Sequence, residues 1–266
     1  ILLKFTLDTL PVIDNKKNII KIIWLNDLLK PKKTKNLKKT KIPLIIMAGG
    51  KGTRLKPFTQ ILPKPLIPLN GKAMILRIID HFTKYGAVKV FISINDKSEI
   101  IKAFFKEQHS KYNINFIKES KPLGTVGSIF NLKKKINSNF FLTNCDTLID
   151  YNYNKIYKNH LDKKNDATIV ISKINVKVPY GIVNYKKNQF KNILEKPVYS
   201  FCFNVGLYIF SIKILKLVKN NKKMDINDLL EIAKKNHKIG IYKISSKRVH
   251  DTGTWNQFFK TQKNLI

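Results

Sequence analysis

A glycine-rich loop, two cations and two distant carboxylates are the groups of this chain whose types and spacing could do chemistry. The stretch from Leu44 to Pro65 reads LIIMAGGKGTRLKPFTQILPKP. An apolar run ends in Ala48, Gly49, Gly50, Gly52 and Thr53, and glycines there let the backbone turn sharply and bring N–H groups against phosphate. A dinucleotide-binding loop would start its helix at once, with pyrophosphate on the helix N-terminus. Here Pro57, Pro63 and Pro65 prevent an uninterrupted helix, and no GxxxxGK[ST] spacing is present. Arg54 and Lys64 are therefore cations on an extended segment, Lys64 held between two prolines. They suit a polyphosphate gripped along its length while negative charge builds up on it. Asp146 closes the apolar run FFLTNCD, and Asp251 sits in the glycine-containing turn HDTGT. Two carboxylates at strand ends can hold Mg²⁺, which takes oxygen ligands and substrate phosphates in place of a full protein cage. The plainer role of an Asp at a strand end is to cap a turn.

The elements that must position these groups follow from periodicity. LIIMA (44–48), KVFISIN (89–95), NINFIKE (113–119) and FFLTNCD (140–146) read as strands. Between them, 72–86 carries Met74, Ile75, Ile78, Ile79 and Phe82 at helical spacing, and 98–108 and 124–136 also read as helices. That alternation predicts a parallel α/β sheet, with ligands at the carboxyl ends of its strands. After Asp166 strands crowd together as ATIVISKI, YGIVNYK, FKNILEK and FCFNVGLYIFS. A helix over 225–237, a strand over 239–245 and a last helix near TWNQFFKTQ follow. The first 30 residues read as a short unit: LPVID, an NKKN turn, a buried strand IIKIIWL and a helical turn NDLLK. Residues 31–41 are Pro-led and Lys-rich with no apolar face, a linker signature.

GGKGTRLKPFTQILPKP closely resembles the signature of the sugar-1-phosphate nucleotidyltransferases. PLGT (122–125), NCD ending at Asp146, PYG (179–181), EKP (195–197), NVGLYIF (204–210) and HDTGT (250–254) fall in that family's order. The resemblance covers residues 42–266. It implies a three-layer α/β sandwich with a mixed, mainly parallel sheet. It also implies a Mg²⁺-dependent reaction of a nucleoside triphosphate with a sugar-1-phosphate, giving a nucleotide-sugar and pyrophosphate. Arg54 and Lys64 then contact the phosphates, and Asp146 and Asp251 hold the metal. Ala48, Gly49, Gly50, Gly52 and Thr53 would cradle the nucleotide, and Glu119, Leu123, Gly124 and Thr125 would frame its base. Thr125 also reads as a helix N-cap. Gly181, Glu195, Lys196 and Asn204 would meet the sugar phosphate, the plain alternative for Glu195 and Lys196 being an exposed ion pair. Cys145 stands where many relatives have glycine. Residues 1–30 resemble the last third of a CBS module, and such a module before this transferase is similar to guanylyltransferases of surface-glycan pathways. GTP is the nucleotide this favours, with UTP, dTTP or CTP as rivals, and a non-catalytic sugar-nucleotide sensor as the rival outside the class. Pairing of CBS modules would make a homo-oligomer.

Composition excludes other classes. Hydrophobic residues make up 43% of the 266 residues, enough for a sizeable core. No apolar run approaches about 20 residues, so no membrane span is expected. The net charge of +34 invites nucleic acid, but 48 of the 51 basic residues are lysine, and they are scattered rather than clustered. With 27 asparagines, they reflect an A/T-rich coding bias on a solvated surface. Cys145 and Cys202 lack metal or disulfide spacing and read as small buried hydrophobes in a reducing cytoplasm. His81, His109, His160 and His237 read as surface or packing residues, and His250 as a residue that shapes its turn. The first residue is Ile, which reads as a fragment or a processed product.

Overall fold

The computed structural model describes residues 9–15, 17–24, 41–87, 89–108, 112–119, 123–220 and 222–264. The chain divides into two units, Ile1–Lys38 and Lys39–Ile266.

In the first unit, β1 (Thr9–Ile13) and β2 (Ile19–Trp24) form an antiparallel ladder. Its turn is closed by Asp14, whose side chain accepts the Asn18 N–H at 2.8 Å. The expected burial of the isoleucine strand is not met: Ile19 and Ile20 are 63% and 66% exposed. The described residues of this unit supply no second layer for the ladder to close against. The expected helical turn (26–30) and residues 31–40 lie outside the described residues.

The second unit is built on a seven-stranded sheet. Its strands are β3 (Leu44–Met47), β6 (Val90–Ile94), β7 (Ile114–Lys118), β8 (Phe140–Asn144), β10 (Ala167–Lys177), β13 (Val198–Phe210) and β14 (Ile239–Ile244). Between them lie the short β4 (Pro68–Leu69), β5 (Lys72–Ala73) and β9 (Thr147–Ile149), and β15 (Val249–Asp251) follows. A hairpin of β11 (Ile182–Lys186) and β12 (Gln189–Leu194) completes the set. The order is β14-β10-β13-β8-β3-β6-β7, and β13 alone runs against both neighbours, so the sheet is mixed and mainly parallel.

Alternation along β3 sends Leu44 and Ile46 to one face and Ile45 to the other. On the first face lie α2 (Met74–Lys84), α3 (Ser98–Glu107) and α4 (Tyr153–Asp162), whose Ile75, Ile79, Phe82, Ile101 and Ile156 close one core. Phe82 stacks on Tyr153 at 3.8 Å, and its removal to Ala would cost about 3–5 kcal/mol. On the second face, α5 (Ile212–Leu217), α6 (Ile226–Ala233) and a 3₁₀ segment bury Val126, Ile129, Leu215 and Leu229. Three layers result. The last helix, α7 (Trp255–Asn264), returns to the loop after β3.

The expected helix over 124–136 is instead a 3₁₀ helix, Gly127–Leu132. Backbone bonds tie Val126 N–H to Met224 O at 3.1 Å and Met224 N–H to Leu123 O at 2.9 Å. A Cβ on Gly127 would lie 2.7 Å from the Lys222 carbonyl, so the 222–224 segment occupies the room a wider helix needs. Cys145 is buried as expected, but Cys202 is exposed, because it lies on the outward extension of β13.

Candidate active site

The glycine-rich loop leaves β3 at the carboxyl end of the sheet and lines a cavity of about 590 Å³. Gly49, Gly50, Gly52, Thr53, Arg54 and Lys64 line it together with Glu119, Gly124, Thr125 and Asp146. No continuous helix follows the loop. A 3₁₀ turn (Thr53–Leu55), the four-residue α1 (Phe58–Ile61) and a second 3₁₀ turn (Lys64–Leu66) take its place. Gly52 sits at φ 63°, and a Cβ there would meet Lys64 Cβ and Thr59 Cγ2 at 2.9 Å, so this position needs glycine twice over. Thr59 Oγ1 donates to Gly52 O at 2.9 Å, and the Trp255 indole N–H donates to Lys56 O at 2.9 Å. Lys97 Nζ donates to Thr59 O at 2.6 Å.

The carboxylates meet across a small ladder. β9 begins immediately after Asp146, and β15 ends at Asp251, which pairs with Thr147. Thr252 clamps the Asp146 carbonyl with both its N–H and its hydroxyl, each at 2.8 Å. A Cβ placed on Gly253 would stand 3.0 Å from Asp251 Oδ1 and 3.4 Å from both Asp146 Oδ2 and Arg54 Nη2. Both acids and the guanidinium therefore border one point. Lys64 Nζ reaches Asp146 Oδ2 at 2.5 Å, with the two side chains only 10% and 16% exposed. Burial, and then the charge of Asp146, raise the Asp251 carboxyl above its ordinary range, while the Gly253 N–H, Lys64 and Arg54 pull the other way. Burial and the neighbouring Asp146 push the Cys145 thiol up to about 12, so it is an inert wall residue.

At the other end, Glu119 is buried. It accepts from the Ser93 hydroxyl and, at 3.3 Å, from the Leu123 N–H, and Ser93 also contacts Ser128 at 3.0 Å. Ala48 and Leu123 are buried behind this wall rather than lining it. Thr125 does cap a helix, but a different one from that expected: its hydroxyl accepts the Ile226 N–H of α6 at 2.8 Å. Asp225 accepts the Thr125 N–H at 3.0 Å and lines the cavity, as do Met47, Lys51, Asn95, Asp96 and Asn144. None of these six was expected. Asp225 is also the N-cap of α6, in a capping box with Asp228.

Gly181, Glu195, Lys196 and Asn204 are outside the cavity lining. Glu195 packs beside Gly181, where a Cβ would stand 3.0 Å from Glu195 Oε2, and Glu195 pairs with Lys196 at 3.6 Å. Asn204 bonds Tyr208 and accepts the Gly206 N–H at 2.9 Å. His81, His160 and His250 pack within elements with lowered pKa values, burial being the main cause for each, and His109 is outside the described residues. No helix among the described residues is long and apolar enough to cross a membrane.

Comparison with known proteins gives this geometry a family. Mannose-1-phosphate guanyltransferase of Hypocrea jecorina is 36% identical over 186 residues, 66% of this chain and 51% of that protein. The chain thus spans about half the length of the curated relatives it matches. The crystal structure of HddC from Yersinia pseudotuberculosis superposes with a TM-score of 0.66 at 27% identity, covering 85% of this chain and all of that one. The same protein has been solved complexed with GMP-PN. The Nucleotidyl transferase family model matches residues 44–266, and the chain belongs to that family.

Proposed function

We propose that residues 42–266 transfer a guanylyl group from GTP to a sugar-1-phosphate, releasing pyrophosphate. The observation that carries this is the convergence of Arg54, Asp146 and Asp251 around Gly253, beside a glycine loop that no continuous helix follows. The chemistry needs little more than positioning and charge neutralisation. A sugar-phosphate oxygen, already anionic near neutral pH, attacks the α-phosphorus in line. The bond from that phosphorus to the β-bridging oxygen breaks, and pyrophosphate leaves with the electron pair. The loop N–H groups and Arg54 hold the triphosphate and the leaving pyrophosphate. Lys64 meets the phosphates between nucleotide and sugar.

The donor set fits Mg²⁺. Asp146 lines the cavity, and Asp251, outside its lining, offers a second hard oxygen near the same point beside Gly253; no cluster of three or more acids, histidines and cysteines occurs among the described residues. Two carboxylates plus substrate phosphates are what this ion accepts. When bound, it would neutralise charge on the phosphates. The raised pKa of Asp251, caused mainly by partial burial and then by the charge of Asp146, agrees with this, since two half-buried acids side by side favour a cation between them.

Guanine is supported by the curated relatives and by Glu119. Its carboxylate is oriented by Ser93 and the Leu123 N–H, and each oxygen keeps a lone pair for the guanine N1–H and N2–H₂ edge. Gly181, Glu195, Lys196 and Asn204 take the sugar phosphate in this reading, on the strength of their motifs. Residues 1–30 are a CBS-like appendage joined by 31–41. The reaction belongs in the cytoplasm, where nucleoside triphosphates are available.

A screen of GTP, UTP, dTTP and CTP against mannose-1-phosphate and other sugar-1-phosphates, read by pyrophosphate release with and without EDTA, tests the reading. GTP should win, and EDTA should abolish turnover. A faster UTP or dTTP would overturn the guanylyl assignment, and full activity in EDTA the metal. Nucleotide-sugar binding without pyrophosphate release in any combination would favour a sensor.

A further inference from the structure

Gly124 and Thr125 line the cavity and are held in place from a segment 100 residues further along the chain. Val126 N–H donates to Met224 O at 3.1 Å and Met224 N–H to Leu123 O at 2.9 Å, so two backbone bonds lay 123–126 beside 222–226. Side chains add two more. Thr125 N–H donates to Asp225 Oδ1 at 3.0 Å, and Ile226 N–H donates to Thr125 Oγ1 at 2.8 Å. Gly124 sits at φ 75°, and a Cβ there would stand 2.6 Å from Asp225 Oδ1 and 2.7 Å from Met224 O. Glycine alone lets the backbone come that close to the carboxylate. Leu123 N–H in turn donates to Glu119 Oε2 at 3.3 Å. A continuous run of contacts therefore leads from Asp225, through the backbone of Thr125, Gly124 and Leu123, to Glu119.

Capping a helix does not require this run. An N-cap carboxylate has only to reach N–H groups in its own first turn, and Asp225 does so in its box with Asp228. The bond to Thr125 N–H is additional, and it is made by a side chain that itself lines the cavity. We propose that Asp225 is a positioning residue for nucleotide selection: it fixes Gly124 and Thr125 so that Leu123 and Glu119 present one rigid edge to the base. The proposal rests on the guanylyl reading of Glu119 for the identity of the base selected.

The consequence of losing Asp225 differs from that of losing a cap. The two backbone bonds to Met224 still hold the ends of 123–126, but the peptide between Gly124 and Thr125 loses its protein partner. The Glu119 carboxylate, tied to Leu123, is then free to shift. Guanine meets that carboxylate with two donors, N1–H and N2–H₂, and is sensitive to a small displacement. Uracil has no such pair of adjacent donors and depends on the edge less. Loss of the clamp therefore lowers discrimination between nucleotides, whereas loss of a cap lowers stability without choosing between them.

Steady-state kinetics with GTP and with UTP, each against mannose-1-phosphate, test the proposal, beside calorimetric binding of each nucleotide alone. Asp225→Ala should raise the KM for GTP about 10-fold, as for one lost bond to a charged acceptor, and change that for the sugar phosphate less than about twofold. The ratio of kcat/KM for GTP to that for UTP should fall about 10-fold with it. Asp225→Asn keeps an oxygen to accept the Thr125 N–H and caps helices well, so it should recover the ratio to within about threefold. Asp228→Ala removes the carboxylate that accepts the Asp225 N–H at 3.0 Å; it should lower the melting temperature as Asp225→Ala does and leave the ratio unchanged. If Asp225→Ala fails to fold by circular dichroism, Thr125→Val, which removes the hydroxyl that accepts the Ile226 N–H, takes its place and should lower the ratio at least about threefold. An unchanged ratio in the folded variant overturns the proposal, as does an equal fall in Asp228→Ala, which would leave Asp225 a cap alone. A wild-type chain that prefers another nucleotide sinks the guanylyl reading, and the proposal is then read from the ratio of that nucleotide to GTP. If no combination turns over, the calorimetric affinities supply the same ratio.

Discussion

Replacing Gly253 by Ala is the sharpest test of the site. The backbone there is outside the left-handed region, so alanine adds no conformational strain. In such a place it gains about 0.4–1 kcal/mol by restricting the unfolded chain. The methyl group, however, would stand 3.0 Å from Asp251 Oδ1 and 3.4 Å from Asp146 Oδ2 and Arg54 Nη2. Comfortable separations are about 3.5–4.0 Å, so the Asp251 oxygen must retreat by roughly 0.5 Å and the other two by less. A misplacement of about 1 Å can cost about 10²-fold in rate, so turnover should fall about 10- to 10²-fold. The melting temperature should stay within about 3 °C, because crowding and chain restriction oppose each other. Pyrophosphate release at saturating GTP and sugar-1-phosphate, repeated over a Mg²⁺ titration, reads the effect. Wild-type turnover in the folded variant would show that Asp146, Asp251 and Arg54 do not surround the reacting atoms.

Asp251→Asn should cost roughly 10²-fold or more in turnover, through loss of one preorganised charge. It should also raise the melting temperature near neutral pH. Because burial and Asp146 raise the Asp251 pKa, the folded state binds this proton more tightly than the unfolded chain, so the ionised carboxylate destabilises the fold above its folded pKa. The cost fades as pH falls through that value, and the Asn variant's advantage should shrink toward about pH 4. An advantage that grows on acidification would refute the cause assigned. Glu195→Ala should raise the KM for sugar-1-phosphate several-fold more than that for GTP, and equal losses would show the site wrongly divided. Deleting residues 1–40 should leave kcat within about twofold, since every residue given a chemical role lies at or after Ala48; a folded but inactive product would place part of the site in the first unit.

The parallel half of the sheet was legible because β3 and β6 are short and almost wholly apolar and amphipathic helices alternate with the strands, and neither feature depends on distant contacts. Burial of β6, all five residues of it, follows directly from VFISI. Where tertiary contacts decide, the sequence misleads. Residues 124–136 have helical spacing, yet their backbone is strapped to 222–224 and tightens to 3₁₀. The helix α4 is polar enough that only Tyr153, Ile156 and His160 are buried, so its periodicity is faint. The same division holds at the site. Gly49 to Arg54 are contiguous and legible as a loop, and Asp146 by its strand end. Asp225 and Asn144 come to the cavity from other segments, under residue types that also serve as caps and turns.

The loop's departure from a helix has a physical consequence. A phosphate loop that runs into a helix is held by the helix's own hydrogen bonds. Here the chain is broken by prolines into three short turns, and other elements supply the stiffness. Thr59 fixes the Gly52 carbonyl, Lys97 fixes Thr59, and Trp255 fixes Lys56 while packing edge-on against Phe58 at 5.1 Å. Each bond contributes only about 0.5–1.5 kcal/mol net. Together they make the position of Arg54 depend on α7, which also anchors Asp251 through Gln257 at 2.9 Å and Thr261 at 2.8 Å. One C-terminal helix thus sets both the loop that carries Arg54 and one of the two carboxylates. That coupling keeps opposite charges in register across more than 190 residues of sequence, which a local helix after the loop could not do.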